Sequence, residues 1–407
     1  MKSYWLWLFL IPTLFFPNFG NLDTGMGVLE TGDMMAIPIL ILLIIDPTKN
    51  RKFLLADYIL RPGLAFIFWA VLGILLIYFF YQYNEPNKIV SFSMLKIGKF
   101  AMYAAIPIVI SRKIQFESIR RDFDWMLLAC CVVVAGATII SPNPPALNSK
   151  VSVDFYYKAS NLISNVLAIF VTYLTGLLIV GYGSEMWRQA VKWSLIIIVI
   201  GFSLTKGRGG WIAAICGFTY LAYARGLLRT RILTGIAACV IAIFGLYFYN
   251  EDFRLEVSKL VVTQNETRDG ASDVEFSDSE RFVTWGHEVV KIVNAPIFGT
   301  GFHHRGGISG LWRNGSHNFW LQMFLETGLI GGILIVLIFL RMWRHADCEE
   351  AIRLGISIPL KATLVTALIG GLGGEYFNGG MGLLSILLCY VPAGAISAVR
   401  SQSSKKV

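Results

Sequence analysis

Residues 313–340 read RNGSHNFWLQMFLETGLIGGILIVLIFL, so a polar cluster leads directly into a long apolar run. From Phe319 onward, the run has the length and composition of a transmembrane helix, which takes roughly 20 predominantly apolar residues. His317 and Asn318 stand at the start of that helix, and polar side chains continue for about two turns into it. Because polar and ionisable groups are costly inside a membrane, this segment predicts a functional site.

The composition of the whole chain is that of a polytopic membrane protein. Of its 407 residues, 55% are hydrophobic and only 15% are charged, and the mean hydropathy is +0.61. The core of a soluble protein could not bury so much apolar surface. We therefore predict an all-α integral membrane protein with about twelve transmembrane helices, centred on 4–20, 34–46, 62–81, 96–111, 125–141, 161–183, 193–205, 210–224, 232–249, 318–340, 358–373 and 381–398.

These helices divide the chain into three predicted parts. Residues 1–249 hold the first nine helices, 250–316 form one large periplasmic loop, and 317–407 hold helices ten to twelve and a cytoplasmic tail. The loop lies off-centre, which argues against the two equal halves of a common transporter design. No small-residue cleavage site follows the first apolar segment, so we expect a retained helix and not a removed signal peptide.

The distribution of basic residues predicts the orientation in the membrane. If both termini are cytoplasmic, the short loops on the other side carry few Lys and Arg, as the positive-inside rule requires. The net charge of +9 is then mainly a topology signal, and no nucleic-acid partner is predicted. Twenty of the 35 basic residues fall on the cytoplasmic side: Lys2, Lys49, Arg51, Lys52, Arg61, Arg112, Lys113, Arg120, Arg121, Arg188, Lys192, Arg225, Arg229, Arg231, Arg341, Arg344, Arg353, Arg400, Lys405 and Lys406.

Cysteine and carboxylate patterns give no sign of a metal or cofactor. The six cysteines all fall in predicted helices or on the cytoplasmic side, so neither a disulfide framework nor a cysteine metal site is predicted. The outer loops contain no paired carboxylates, such as Asp-x-Asp, with a spacing suited to Mg²⁺. Neither pattern predicts a metal site, and no cofactor is predicted.

The large loop contains a predicted amphipathic helix. Ser277-Asp-Ser-Glu280 offers N-capping side chains, and the segment beginning at Arg281 has the apolar spacing of a helix that lies along the membrane surface. The segment ends at Asn294-Ala-Pro-Ile-Phe-Gly-Thr-Gly301. The glycine-rich residues 299–310 that follow are expected to form a solvent-facing turn region.

Arg208 lies in a glycine-rich outer connection, Leu204-Thr-Lys-Gly-Arg-Gly-Gly-Trp211. The glycines let backbone N–H groups approach a ligand closely, and the guanidinium offers the planar fork that suits phosphate oxygens. Lys206 adds a second positive charge two residues earlier. The alternative is an arginine that snorkels to the membrane interface beside an aromatic anchor.

Two further candidates belong to the loop and to the helix that follows it. Arg281 follows Glu280 and stands one turn before Trp285, so it could bind a ligand or form only a surface salt bridge or a cation–π contact with the Trp285 ring. His317 follows Ser316, which we take as the candidate N-cap of the long helix. The helix dipole disfavours a protonated imidazole there, so we expect a neutral ring that can accept a proton. The alternative is a histidine at the membrane interface whose hydrogen bonds are satisfied and which takes no part in a reaction.

Taken together, these segments resemble the O-antigen ligase and polymerase family. The string His317-Asn318, nine residues, Gly328, two residues, Gly331 resembles the signature of that family. The stretches 279–285 and 296–302 resemble the segment that precedes this signature, and 206–212 resembles the family's arginine-bearing outer loop. The detailed resemblance covers about residues 200–335.

The resemblance implies an inverting, metal-independent glycosyltransferase of the polytopic GT-C type. Its donor would be a glycan on undecaprenyl diphosphate, at the periplasmic face of the bacterial inner membrane. By carry-over from the family, Arg208 and Arg281 would bind the donor diphosphate, and His317 would act at the reacting centre, supported by Lys206 and Asn318. A base for the acceptor hydroxyl and two cations for the departing diphosphate match the needs of that chemistry.

The long helix also carries a polar stripe. Asn318, Gln322 and Glu326 recur every four residues and are expected to face the interior of the bundle. Gly328 and Gly332 form a small-xxx-small pair, which predicts the close approach of a neighbouring helix. The stripe could line an acceptor cavity or only bind other helices, and for Glu326 we favour the structural role.

Several functions fit these residues. The foremost is O-antigen ligation to the lipid A core, followed by polymerisation of repeat units and then by protein O-glycosylation. A different class is a transporter or flippase of lipid-linked sugars, since a basic outer vestibule would suit it too. Most predicted spans carry almost no charged residues in mid-membrane, which weakens the transporter interpretation.

Overall fold

The computed structural model describes residues 21–23, 28–30, 60–80, 94, 97–98, 117–140, 160–205, 208–227, 278–301, 318–347, 351–352 and 354–372. Within these residues the chain is helical, apart from one antiparallel pair of short strands, β1 (Asn21–Asp23) and β2 (Val28–Glu30). The helices are α1 (Leu60–Phe80), α2 (Glu117–Ile140), α3 (Ser160–Ile179), α4 (Glu185–Leu204), α5 (Arg208–Ala224), α6 (Asp278–Asn294), α7 (Phe319–His345) and α8 (Ser357–Gly370).

The predicted helical class is confirmed for this part of the chain. Seven of the described helices coincide with predicted spans, and α6 coincides with the predicted amphipathic helix. The short strand pair lies between the first two predicted spans and was not predicted. The total of about twelve spans stays a prediction, because those centred on 4–20, 34–46, 96–111, 232–249 and 381–398 lie wholly or mostly outside the described residues.

Helices α2 and α4 both begin eight residues before their predicted spans, and α4 begins at Glu185 and not near residue 193. Ser184 caps this helix, since its hydroxyl accepts the N–H of Trp187 at 3.3 Å. Arg188 then donates to the Glu185 carboxylate at 2.5 Å and to the Gly181 carbonyl at 3.0 Å. The first turns are therefore a polar continuation of the helix, which a search for apolar runs leaves out.

The described helices have the exterior of a membrane protein. Two of them, over Glu185–Leu204 and Phe319–Arg344, are long and apolar enough to cross a membrane, and five shorter helices are apolar as well. Large apolar side chains cover the outer surface in a way that water would disfavour and lipid would not. Examples of exposed side chains are Phe68, Phe79, Trp193, Ile196, Ile212, Ile215, Ile333 and Leu340.

Helices α3, α5 and α8 form one packed unit. At its centre, Gly217 of α5 lies against Thr172 of α3 and Thr366 of α8, and the Thr366 hydroxyl donates to that of Thr172 at 3.2 Å. Arg225 at the end of α5 donates to the carbonyl of Ile179 at the end of α3, at 2.8 Å. Helices α3 and α5 are therefore parallel, and α8 runs in the opposite direction, as the predicted alternation of spans requires.

A second core joins α1 to α7, through buried residues that include Phe66, Ala70, Phe319 and Met323. Helix α6 also packs against α7. Helix α7 is broken at Gly328, where φ is 69° and ψ is −174°. We refer to residues 319–327 as the outer half of α7 and to residues 329–345 as its inner half.

The two ends of the bundle differ. At one end, Asp347 after α7 accepts hydrogen bonds from Ser357 Oγ, at 2.9 Å, and from Lys361 Nζ, which joins α7 to α8. The opposite end gathers the starts of α3, α5 and α7 and the end of α8. We call it the site end, because the predicted site residues belong to the helices that begin there and to the loop that leads into α7. Its exposure to the periplasm stays a prediction.

Candidate functional site

The start of α7 is fixed by Asn318. Its side-chain oxygen accepts the backbone N–H groups of Trp320 and Leu321, each at 3.1 Å, and the residue is 4% exposed. The helix therefore begins at Phe319 with Asn318 as its N-cap. The prediction that Ser316 is the cap was wrong, because the asparagine amide reaches the second and third N–H groups of the helix.

His317 lies outside the described residues. In the chain it comes directly before the N-cap of α7. Since Asn318 satisfies two of the first N–H groups of the helix, those two donors need nothing from His317. The role of this histidine stays a prediction.

The start of α7 is bound to the end of α8. The backbone N–H of Phe319 donates to the Gly371 carbonyl at 2.8 Å, and the indole of Trp320 donates to the Leu368 carbonyl at 3.0 Å. The last carbonyl groups of a helix have no partner within it, so these donors satisfy groups that would otherwise be left open. The contact fixes Asn318 relative to the three-helix unit of α3, α5 and α8.

Helix α5 begins at Arg208, next to the start of α3. Gly210 allows this contact, since a Cβ there would lie 2.6 Å from the Ser164 carbonyl oxygen. The neighbouring Asn165 is buried and donates to the Gly370 carbonyl at 3.4 Å. The start of α5 is thus linked through α3 and α8 to the start of α7. The side chain of Arg208, and Lys206 as a whole, lie outside the description.

Arg281 lies in the first turn of α6, which begins at Asp278. Its backbone is described and its side chain is not. Further along α6, Glu288 is buried, whereas Val290 and Val293 are more than half exposed. Helix α6 therefore turns apolar side chains away from the protein, as the predicted amphipathic helix would do at a membrane surface.

The turn after α6 fits into the break of α7. The N–H groups of Thr300 and Gly301 donate to the carbonyls of Leu325 and Glu326 at 2.8 and 3.1 Å, and Leu329 N donates to the Pro296 carbonyl at 2.7 Å. The break leaves the last carbonyls of the outer half in the position of those at a helix end, and the turn supplies their donors. Residues 296–301 and 325–329 form one hydrogen-bonded unit, which we call the loop–helix junction.

The junction depends on two glycines. Gly299 and Gly328 both have a φ of 69°, in the left-handed region that L side chains rarely adopt. A Cβ on Gly299 would lie 2.6 Å from the backbone nitrogen of Gly328, and one on Gly328 would collide with the Ile297 carbonyl. The two motif segments are therefore in direct backbone contact.

Trp69 of α1 joins this junction from the side. Its indole Nε1 donates to the Thr327 carbonyl at 3.0 Å. The same ring stacks on Phe298 of the turn, with 4.7 Å between ring centroids and an interplanar angle of 10°. Sequence reasoning gave no role to Trp69, because a tryptophan within an apolar helix carries no signal of its tertiary partner.

The polar stripe on α7 faces the interior, as predicted. Gln322 and Glu326 are 5% and 3% exposed, and Gln322 Nε2 donates to Glu326 Oε1 at 2.8 Å. We expected a neighbouring helix to pack on Gly328 and Gly332. The expectation was wrong for the atoms that lie nearest to these two glycines, because none of them belongs to another helix. The turn approaches Gly328, and a Cβ on Gly332 would collide with the Phe324 ring of the same helix.

One segment of the chain matches a known protein family. Residues 193–336 match the family model described as O-antigen ligase. The matched segment runs from within α4 through α5 and α6 into the inner half of α7, and so contains every predicted site residue. This segment, about a third of the chain, therefore resembles the O-antigen ligase family, which is a family of membrane-embedded, glycosyltransferase-like enzymes.

One curated relative matches part of the chain. An uncharacterized protein of Haemophilus influenzae is 28% identical over 170 residues, a match that covers 36% of this chain and 40% of the relative. The match therefore spans less than half of either protein. The family domain, and not this relative, is the basis for interpreting the site.

Proposed function

We propose that this protein is an inverting, metal-independent glycosyltransferase of the GT-C type. It transfers a glycan from undecaprenyl diphosphate to an acceptor at the periplasmic face of the inner membrane, and its acceptor is the lipid A core, as in O-antigen ligation. The observation that carries the proposal is the loop–helix junction. It ties the helix that bears Arg281 to the helix that follows His317, across the break at Gly328.

The donor diphosphate would be held by two arginines. Arg208 is the first residue of α5, and the N–H groups at a helix start attract anions through the helix dipole. Arg281 lies in the first turn of α6, which the junction connects to α7. Guanidinium groups bind phosphate oxygens in pairs and stabilise the charge that develops on the departing diphosphate. Lys206 would add to the positive potential.

The acceptor would be activated by His317. Its neutral ring takes the proton of the acceptor hydroxyl while the hydroxyl oxygen bonds to the anomeric carbon from the face opposite the diphosphate. The bond from that carbon to the diphosphate oxygen breaks, and undecaprenyl diphosphate leaves with the electron pair. Asn318 supports the step by holding the start of α7, since its side chain caps the helix.

The exterior of the described helices suits a lipid-borne donor. Val290 and Val293 of α6 point away from the protein, and this helix connects through the turn to the junction. A lipid-linked diphosphate lies at the same membrane boundary, so its phosphates can reach arginines at a helix start without leaving the interface. The acceptor can approach from the aqueous side.

A deletion strain tests the proposed reaction. If the protein is the ligase, lipopolysaccharide from that strain loses its O-antigen ladder while lipid-linked polymer accumulates. A plasmid that carries the wild-type chain restores the ladder. A core that bears one repeat unit would instead identify a polymerase, which would use the same residues. An unchanged ladder, with unchanged surface polymer, would contradict both.

Purified protein tests the mechanism. With a lipid-linked donor and a core acceptor, transfer should proceed at the same rate in EDTA as in Mg²⁺, and the product should have the inverted anomeric configuration. Loss of transfer in EDTA that returns with Mg²⁺ would contradict metal independence. Movement of the intact donor across vesicles without transfer would favour the transporter.

A further inference from the structure

Trp69 lies outside the segment that matches the O-antigen ligase family and outside every motif found in the sequence. It nevertheless contacts both parts of the loop–helix junction. One edge of the indole donates to the Thr327 carbonyl on α7, and its face stacks on Phe298 of the turn. The residue is therefore placed to fix the turn and the broken helix relative to each other.

Carbonyl groups beside the break in α7 accept hydrogen bonds from other parts of the protein. The turn gives N–H donors to the carbonyls of Leu325 and Glu326, through Thr300 and Gly301. The next carbonyl, that of Thr327, accepts the Trp69 indole. A buried carbonyl without a donor is costly, so this bond favours the observed angle between the halves of α7.

The stack on Phe298 acts on the other part of the junction. The rings are almost parallel, and the Phe298 carbonyl lies near Gly73, one turn further along α1. This contact holds the turn that ends α6, and α6 carries Arg281. The Trp69 side chain therefore contacts two parts of the junction. The face of its ring contacts the turn after α6, the helix that carries Arg281, and its N–H edge contacts α7, the helix that follows His317.

We propose that Trp69 is a positioning residue for the transfer reaction. It sets the outer half of α7, with Asn318 at its start, against the turn that ends α6. This role rests on the proposed function above. It differs from a role in general stability, because α1 and α7 are already joined by a separate buried cluster that includes Phe66, Ala70 and Met323.

Two substitutions separate the two contacts of Trp69. Trp69→Phe keeps an aromatic face for Phe298 and removes the N–H donor to Thr327. Trp69→Leu removes both contacts. Trp193→Phe is the matched control, because Trp193 is 70% exposed on α4, on the exterior of the bundle. The full-length proteins are purified, and transfer rates with a lipid-linked donor are measured together with backbone hydrogen exchange.

With Trp69→Phe, we expect kcat to fall about tenfold while the KM for the donor stays within about twofold, because the arginine-bearing helix keeps its contact. Trp69→Leu should lower kcat further and raise the KM for the donor. Exchange should become faster in peptides that cover 296–301 and 325–331, and stay unchanged in 160–179 of the three-helix unit. Trp193→Phe should behave as wild type.

Wild-type kcat and exchange in both Trp69 variants would overturn the proposal. Equally faster exchange in 160–179 and 296–301 would also overturn it, since that result marks a loss of general stability. If the wild-type protein transfers no glycan, the proposed function fails, and the positioning role for that reaction fails with it. If exchange in the Trp69 variants is then faster only in the loop–helix junction, Trp69 still holds the turn against α7, but it has no role in glycan transfer.

Discussion

Gly299 and Gly328 meet backbone to backbone, although 29 positions separate them in the chain. Each has a φ of 69°, and a Cβ on Gly299 would lie 2.6 Å from the nitrogen of Gly328. Gly299 lies in the turn after α6, and Gly328 breaks α7. Their contact joins the loop to the helix that carries the catalytic candidate at its start.

Gly328→Ala should disrupt this contact. The added Cβ would collide with the Ile297 carbonyl, and the left-handed backbone would be strained. We therefore expect the free energy of unfolding to fall by more than about 2 kcal/mol and transfer activity to be lost. Thermal unfolding in detergent and a transfer assay measure the two effects. Gly286→Ala is the control, because a Cβ there has open space. Equal stability and equal transfer activity of the two variants would contradict a role of the loop–helix junction in holding the site together.

Alanine at Arg208 or Arg281 should abolish transfer, and lysine should keep at most part of it. A lysine retains the charge and loses the planar fork that binds two phosphate oxygens. Donor binding and turnover of the purified variants provide the measurement. Arg188→Ala is the control, since Arg188 only pairs with Glu185 and the Gly181 carbonyl at the other end of the bundle. Full activity in Arg208→Ala would reduce that residue to an interfacial anchor.

His317→Ala should keep donor binding and lose turnover by roughly 10²- to 10⁴-fold, the range for removal of a general base. The reason is that proton transfer belongs to the chemical step and not to binding of the lipid diphosphate. Binding of the lipid-linked donor and single-turnover rates separate the two. If donor binding disappears instead, His317 is a ligand of the diphosphate beside the arginines, and the assignment as a base is wrong.

Asn318→Ala should remove the cap of α7 at a cost of about 1 kcal/mol and also lower the transfer rate, because the chain before the helix loses its fixed position. Asn318→Asp should restore most of the activity, since aspartate caps as well as asparagine. Ser184→Ala removes the cap of α4 at the opposite end of that bundle and should leave the rate unchanged. Equal rates in the two alanine variants would mean that the cap serves stability alone.

Reporter fusions test the orientation. A fusion at Asn265, in the large loop, should be active only with a periplasmic reporter, and fusions at either terminus only with a cytoplasmic one. The expectation follows from the excess of Lys and Arg in the opposite loops. A cytoplasmic Asn265 would overturn both the charge argument and the assignment of Arg208, Arg281 and His317 to a periplasmic site.

Much of the architecture was predictable from local sequence. Apolar length alone predicted seven of the described helices, and the period of four predicted that Asn318, Gln322 and Glu326 face the interior. The charged first turn of α4, which begins at Glu185, was not predicted, because a hydropathy pattern detects the apolar part of a helix and not its polar end. The N-cap of α7 was predicted at Ser316, two residues before Asn318, because serine and asparagine cap helices almost equally well.

The tertiary structure decided how the parts of the site meet. The sequence determined the apolar spans, the arginines of the candidate site and the glycines of two separate motifs. Only the fold placed Gly299 against Gly328 and gave the Thr327 carbonyl a donor on Trp69, 258 positions away in the chain. The physical reason is that a break in a membrane helix leaves backbone groups that must find partners in the protein, and chain order does not specify which element supplies them.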